Sequence, residues 1–333
     1  NSSMIIVMGL WLANFLSLSI YCLMISSKLR SNNLFDRLNF LFYDNNEEIF
    51  YDYGSARFLN IDTKGGGNYL PENDSWAKQS IAHNTLVVDQ TSHYQADVKT
   101  ADEQHADLIH FSVKPNIQIV SAKEDHAYAD VKLKRTIVLL KLNEMSKPLL
   151  IDVFDAKSDN THQYDLPFWY KGQLVNTSFK LEARKNDLQA LGNNFGYQHL
   201  WLNAQNQLNE NGGFVSVLNN KRFYTTHFVS ENPLQVKLVS IGANDPEMNL
   251  VSGKAFILSQ PLAKNQTFVS ITETHGSVDP INETVSSSAA SITELKLISS
   301  DGEKVVFSFK INAKTLVYQI NYNNKENYMI RVE

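Results

Sequence analysis

Residues 52–89 read DYGSARFLNIDTKGGGNYLPENDSWAKQSIAHNTLVVD, a polar and glycine-rich stretch between two apolar, strand-like runs. It is crowded with cationic and titratable side chains: Arg57, Lys64, Tyr69, Lys78 and His83. A linker between strands is usually about two to six residues long and seldom needs so many of these groups. From spacing alone, a binding site and a long surface loop are about equally well supported.

The sequence on either side of this stretch predicts β-strands. Residues 36–43 and the run EEIFYDY flank the turn-like Asp44-Asn45-Asn46, which predicts a β-hairpin. Residues 130–139, DVKLKRTIVL, alternate apolar and polar side chains, as a strand with one wet face does. After residue 35 a short helix is expected only in GYQHLWLNAQNQL, residues 196–208. Many short strands with polar turns indicate an all-β protein built as a large antiparallel sandwich.

Composition limits the number of domains and the kinds of partner that the chain can have. The 333 residues suffice for one or two domains, and a serine-rich break at 276–291 separates residues 31–275 from the strands of 276–333. The last strands belong either to the same sandwich or to a small second domain. The net charge of −5 argues against nucleic acid and gives no general attraction for any polyanion. The single cysteine, Cys22, excludes an intrachain disulfide.

The phrase GGGNYLPENDSWAKQSIAHNTLVVD, residues 65–89, resembles the active-site segment of the oligoalginate lyases, polysaccharide lyase family 17 of the heparinase II/III-like superfamily. The resemblance continues through LKRTIVLL, NFGYQHLW, IGANDP and FVSITETHG and covers about residues 36–333. It implies an N-terminal helical toroid followed by β-sheet domains, with catalysis in the cleft between them. This chain is expected to carry only the C-terminal β part, without the toroid.

Residues 1–30 form an apolar N-terminal segment of a different character. Met4–Ile25 is uncharged and long enough for one apolar helix across the roughly 30 Å core of a bilayer. A signal peptide normally has its positive charge before the apolar run, whereas Lys28 and Arg30 follow it. A membrane anchor and an aberrant signal remain open. The abrupt start of family-like sequence adds a third reading, a truncated or frameshifted chain whose first residues are foreign to the fold.

The resemblance also implies site residues. Tyr69 matches a tyrosine of the family's cleft that contacts substrate and assists proton transfer, and a packed core tyrosine is the alternative. Arg57 matches an arginine that binds the sugar carboxylate, and a surface salt bridge is its alternative. Asn32 stands where the family has a histidine of the cleft; it can hydrogen-bond a carboxylate but cannot titrate. Lys64 is expected to belong to the local basic cluster that an anionic substrate needs.

A structural zinc ion is the cofactor that the resemblance implies, with Asp52 and His83 as ligands. The position of the third ligand is Leu34, which cannot coordinate a metal, and zinc normally needs three or four protein donors. The site is therefore expected to be weak or lost unless another histidine replaces Leu34. His83 as a hydrogen-bonded structural histidine is the competing interpretation. The histidines considered as replacements are His93, His105 and His126.

The predicted function is cleavage of alginate oligosaccharides by β-elimination, carried out only when the helical domain is present. The alternative is a non-catalytic carbohydrate-binding sandwich at the cell envelope, in which Arg57, Lys64, Tyr69 and Lys78 form the binding patch. The periplasm or the envelope is the expected location, with or without a membrane anchor. A homodimer is left open. His199 is the remaining histidine most worth following.

Overall fold

The computed structural model describes residues 18–21, 34–54, 56, 69–208 and 210–332. Within these ranges the strands run antiparallel to their partners. Helix is limited to one short α-helix and a few 3-10 and π-helical turns. The strands are β1 Leu18–Tyr21, β2 Leu41–Asp44, β3 Glu47–Phe50, β4 Val87–Val88, β5 Asp107–Lys114, β6 Ile117–Glu124, β7 Lys132–Leu140, β8 Leu149–Tyr170, β9 Gln173–Thr177, β10 Glu182–Ala183, β11 Leu200–Gln207, β12 Gly212–Asn219, β13 Arg222–Ser230, β14 Gln235–Ile241, β15 Lys254–His275, β16 Ser277–Asp279, β17 Thr284–Ser286, β18 Ile292–Ser300, β19 Lys304–Ile311, β20 Lys314–Asn321 and β21 Met329–Arg331. The helical elements are α1 Val98–Glu103, a π-helical turn Asn73–Ala77 and 3-10 turns Ser80–Ala82, His93–Ala96 and Tyr197–His199.

Two long strands, β8 and β15, organise the main sheet. Each is 22 residues long, and they pair from Lys254 with Tyr170 to Thr272 with Leu150, with the register shifted between Gln260 and Asn265. On one side of that shift they are joined by β1–β4, β10, β11 and β14; we call this half the front sheet. On the other side they are joined by β5–β7, β9, β12 and β13, which form the back sheet. The polar residues of the shift therefore divide one continuous sheet into the two layers of a sandwich.

Successive side chains along β8 and β15 point to opposite faces of the sheet, and this alternation decides which packed cluster each side chain joins. Phe168 and Phe256 stack at 4.9 Å in the core between the two sheets, together with Phe154 and Phe268 of the back sheet. Trp169, next along β8, points to the opposite face of the front sheet and joins a second cluster. Strands buried on both faces need apolar residues at successive positions, which explains runs such as AFIL and TIVLL.

The C-terminal strands β18–β21 form a sheet of their own in the order β18-β19-β20-β21. Phe307, Phe309 and Tyr318 are buried there against Ile151 and Ile271 on the outer face of the back sheet. The Ser-rich segment between the sheets contains the small β16–β17 ribbon. The fold thus adds a further β layer to the sandwich; its division into domains stays a prediction.

The all-β class is confirmed, and so is the hairpin at residue 44. Strands β2 and β3 are joined by Asn45 and Asn46, which both adopt the positive φ that a tight two-residue turn requires. The helix expected in residues 196–208 is wrong: only one 3-10 turn forms, and strand β11 follows because its backbone pairs with β14.

The predicted N-terminal helix is also wrong where the structure describes it. Residues 18–21 form β1, which pairs with β2 because that edge of the front sheet offers free backbone groups. The rest of the apolar run lies outside the described residues. Among the residues that are described, no helix is long and apolar enough to cross a membrane.

Candidate functional site

Asp52 and His83, which both belong to the stretch 52–89, form a direct ion pair. The distance between His83 Nδ1 and Asp52 Oδ1 is 2.5 Å, and Asn39 Nδ2 donates to the same oxygen at 3.3 Å. Burial by itself would lower the pKa of His83, but the negative charge and hydrogen bond of Asp52 raise this pKa to about 9. Burial would likewise raise the pKa of Asp52, but His83 holds it below its usual value. At neutral pH the pair is an imidazolium against a carboxylate.

The described residues fall short of a zinc site around this pair. Nδ1 of His83 faces Asp52 directly, and Nε2 of His83 is buried without a hydrogen-bond partner among the described residues. Leu34 is partly buried and offers only hydrocarbon. No group of three potential metal-binding side chains occurs in the described part of the chain, so none of the three replacement histidines completes a site there. The donor set does not fit the tetrahedral zinc ion that the family resemblance implies.

His93, the nearest of those candidates in sequence, has a structural role. It is fully buried, and its Nε2 lies 3.1 Å from the carbonyl oxygen of Leu86, to which it donates. Burial lowers the pKa of His93 to about 3, so its ring is neutral. His93 is thus fixed in the core by its neighbours.

Asn84 connects the segments that surround His83. Its side-chain amide donates to the carbonyl oxygens of Phe40 and Tyr51, both at 3.0 Å, and its Oδ1 accepts from the backbone N–H of Trp169 at 2.7 Å. The backbone N–H of Asn84 donates to Asn39 Oδ1 at 2.9 Å. One buried side-chain amide therefore hydrogen-bonds to backbone groups of three separate segments, and these bonds fix the position of the neighbouring His83.

Arg135, in the run LKRTIVLL, supports this layer from inside the sandwich. Its guanidinium forms a two-point ion pair with Asp152, at 2.9 and 2.6 Å, and both side chains are buried. The same guanidinium donates to the carbonyl oxygens of Leu38 and Asn84. Leu38 has a φ of 64°, a strained value for leucine, and Arg135 holds the loop in that shape. A charge on the back sheet thus positions the loops of the front sheet.

Tyr69 is 62% exposed, so the alternative of a packed core tyrosine is wrong. The turn that follows it is anchored by Asn73, which donates to the carbonyl oxygen of Leu70 at 3.2 Å and accepts from the backbone N–H of Ala56 at 2.9 Å. Ala56 directly precedes Arg57 in the chain. Asn73 therefore brings Ala56 close to Leu70, the residue that follows Tyr69.

The remaining predicted site residues are not all visible. Arg57, Lys64 and Asn32 lie outside the described residues, and their roles stay predictions. Lys78 is described: its ammonium lies 2.5 Å from Asp74 one helical turn earlier, at the surface. Lys78 is thus partly neutralised, which weakens its expected contribution to a basic patch.

The sequence did not predict a second polar cluster, which includes Ser75 of the turn that follows Tyr69. Ser75 Oγ lies 2.9 Å from His199 Nε2, and His199 Nδ1 lies 3.1 Å from the carbonyl oxygen of Ala243. Because a carbonyl only accepts, Nδ1 carries the proton and Nε2 accepts from the Ser75 hydroxyl. Trp76 packs edge-on against the His199 ring. His199 drew attention from sequence, but nothing in the spacing of the two residues indicated Ser75 as its partner.

These contacts divide the site into an exposed and a sealed part. The phenol of Tyr69 reaches solvent and can exchange a proton with a bound molecule. His83 has no exposed surface, so it cannot touch a substrate and instead braces the loops above it. The Ser75–His199 contact joins the turn after Tyr69 to the front sheet at β11.

Comparison with known proteins assigns the chain to a family. Residues 24–238 match the family model described as Heparinase II/III-like, C-terminal. An exo-oligoalginate lyase of Saccharophagus degradans is 39% identical over 292 residues, which cover 87% of this chain and 40% of that protein. An alginate lyase of Stenotrophomonas maltophilia is 40% identical over 272 residues, which cover 81% of this chain and 37% of that protein. The chain thus spans about 40% of the length of these relatives.

Solved structures show the same fold at much lower sequence identity. A crystal structure of heparinase III superposes with a TM-score of 0.55 and 13% identity, covering 86% of this chain and 36% of that one. At this identity the likeness shows a shared fold alone. The family model, the two relatives and the β architecture agree, and the chain belongs to the Heparinase II/III-like, C-terminal family.

Proposed function

We propose that this chain is the β part of a lyase that cleaves alginate oligosaccharides by β-elimination. The observation that carries the proposal is the identity of about 40% to two alginate lyases over more than four fifths of the chain. The exposed side chain of Tyr69, next in the chain to a turn that Asn73 anchors, supports it. A position in the periplasm or cell envelope, where such a polymer would be met, is part of the proposal.

The reaction requires three groups around one uronate unit. The substrate carboxylate must be neutralised so that the C5 proton becomes more acidic, a base removes that proton, and an acid protonates the departing O4. A C4=C5 double bond forms as the C4–O4 bond breaks. We assign Tyr69 to proton exchange at the reacting sugar, and Arg57, Asn32 and Lys64 to binding the carboxylate. A helical domain in the position it has in the family would supply the other catalytic groups.

The decisive test joins this chain to the helical domain of an alginate lyase relative. We expect the joined protein to raise the ultraviolet absorbance of unsaturated uronate with alginate oligosaccharides but not with heparan sulfate, and the chain alone to be inactive. Tyr69→Phe should lower kcat at least about a hundredfold, as loss of a proton-transfer group does. Tyr322→Phe, which removes a tyrosine hydroxyl from the buried cluster of the C-terminal sheet, is the matched control. Activity on heparan sulfate alone would reject the alginate assignment.

A second candidate is a binding module without catalysis. It is favoured by the burial of His83, which keeps this imidazole away from a bound sugar, while the side chain of Tyr69 stays exposed. Affinity for alginate oligosaccharides without turnover, weakened by salt and by Arg57→Ala, would support it. An isolated chain that binds no alginate oligosaccharide would count against it.

A further inference from the structure

A cavity of about 710 Å³ lies between the back sheet and the C-terminal sheet, with the end of β11 at its rim. Its floor is formed by β12 and β13, and its outer wall by the start of β18. Sites for small molecules typically have volumes of about 300–1,000 Å³. The cavity is therefore large enough to accept a ligand.

His227 lies in the floor of this cavity and has an unused polar atom. Its side chain is almost completely buried, at 6% exposure, and Nε2 has no hydrogen-bond partner among the described residues. Burial and the nearby His275 lower the pKa of His227 to about 4, so the ring is neutral. Leaving a buried polar atom unsatisfied is unfavourable. A hydroxyl group that enters the floor of the cavity as far as Nε2 would give this atom a partner.

Aromatic and amide side chains complete the lining. Phe214 is paired directly across the strands with His227, their rings 5.3 Å apart, and Phe179 lies on the adjoining edge of the cavity. The amides of Asn206 and Gln207, near the end of β11, face the same space. A flat aromatic surface beside amide and imidazole groups suits a molecule with one apolar face and many hydroxyls, because the ring packs on the former and the hydroxyls bond to the latter.

The charges around the cavity do not favour an anion. Glu210 and Glu294 line it together with one cation, Lys296. Glu294 already contacts Lys296 at 2.5 Å and Lys310 at 2.6 Å. With a neutral His227, the two carboxylates are balanced by the ammonium groups of Lys296 and Lys310, so the cavity offers no net positive charge to hold a uronate carboxylate.

We propose that this cavity binds an uncharged pyranose unit of an oligosaccharide, packed on Phe214 and hydrogen-bonded to His227 Nε2. This second carbohydrate site is independent of the lyase reaction and of the groups around Tyr69. Its ligand differs from the uronate chain expected in the cleft in having no carboxylate.

The test uses the full chain with histidine labelled by ¹⁵N and two ligands that differ only at C6, β-1,4-mannotriose and β-1,4-trimannuronate. Mannotriose should shift the ring resonances of His227 and bind more tightly than trimannuronate. His227→Phe, which keeps an apolar ring but removes the polar atom, should weaken mannotriose about tenfold in calorimetry. Phe214→Leu should weaken it about fivefold. Lys314→Ala, which removes a surface ammonium that pairs with Glu144 and does not line the cavity, should change nothing.

Three results would overturn the proposal. The first is that mannotriose leaves the His227 resonances unmoved. The second is that mannotriose binds equally well to the His227→Phe and Phe214→Leu proteins. The third is that trimannuronate binds more tightly at this cavity. If His227→Phe does not fold, the Phe214→Leu protein and the labelled unaltered chain still decide between binding and no binding.

Discussion

At the scale of single residues, the charge of His83 is set by Asp52. An isolated buried imidazole loses its proton, as the neutral rings of His93 and His227 do. His83 keeps its proton because the carboxylate of Asp52 lies 2.5 Å away. Three buried histidines of one fold thus carry different charges according to their nearest neighbours.

This pair predicts a loss of stability at alkaline pH. The folded-state pKa of His83, about 9, lies above its ordinary value of 6.5, so its stabilisation is fully present below pH 6.5 and is lost as the pH rises through 9. We expect the free energy of unfolding to drop by roughly 1–3 kcal/mol across that range. Urea unfolding at a series of pH values measures it. His83→Gln should flatten the profile; an equally steep alkaline loss in that variant would show that other groups cause it.

Leu34 predicts the metal content. Since Asp52 and His83 lack a third donor among the described residues, purified protein should contain well under one zinc per chain by elemental analysis. Leu34→His should raise zinc content and the thermal midpoint together, because a metal that binds only the folded state stabilises it. Leu34→Phe, which adds a ring without a donor, is the control. Stoichiometric zinc in the unaltered chain, removed by Asp52→Ala or His83→Ala, would mean that another donor has replaced Leu34.

At the scale of elements, the turn between β2 and β3 depends on backbone conformation. Asn46 has a φ of 65°, which asparagine and glycine tolerate better than other residues. Asn46→Ala should lower the free energy of unfolding by about 1 kcal/mol, and Asn46→Gly should leave it almost unchanged. Chemical denaturation of both variants tests this. Equal effects of alanine and glycine would mean that the amide side chain, rather than φ, is what matters.

Short-range patterns predicted most strands, but not how they continue. Local pattern predicts two separate strands in KPLLIDVFDAK and DLPFWYKG, whereas residues 149–170 form the single strand β8. The polar residues between them resemble a turn, yet they stay extended because β15 pairs with β8 on both sides of the register shift. That partner is remote in sequence, and no local pattern encodes it. The exposure of Tyr69 and the contact of Ser75 with His199 depend on similarly remote neighbours.

At the scale of the whole molecule, Arg135 couples the two sheets. Arg135→Met would leave the buried carboxylate of Asp152 unpaired and release the carbonyl oxygens of Leu38 and Asn84. We expect a loss of about 3–5 kcal/mol in the free energy of unfolding, measured with urea. The double variant Arg135→Met/Asp152→Leu should recover much of it, because no isolated charge remains. A double variant as unstable as the single one would show that the loop contacts, rather than the charge, dominate.

The pairing of β8 with β15 also affects the order in which the molecule can assemble. Leu150 pairs with Thr272, and strands β9–β14 are synthesised between the two. At roughly 5–20 residues per second, a ribosome needs roughly 6–24 s to make that interval. Throughout it, the nascent chain can build β5–β8 as a meander, while the other edge of β8 stays open to strands of neighbouring chains. Once β15 has left the ribosome, it pairs with β8 and covers that edge. Premature termination before residue 254 should therefore yield aggregates rather than a smaller folded protein.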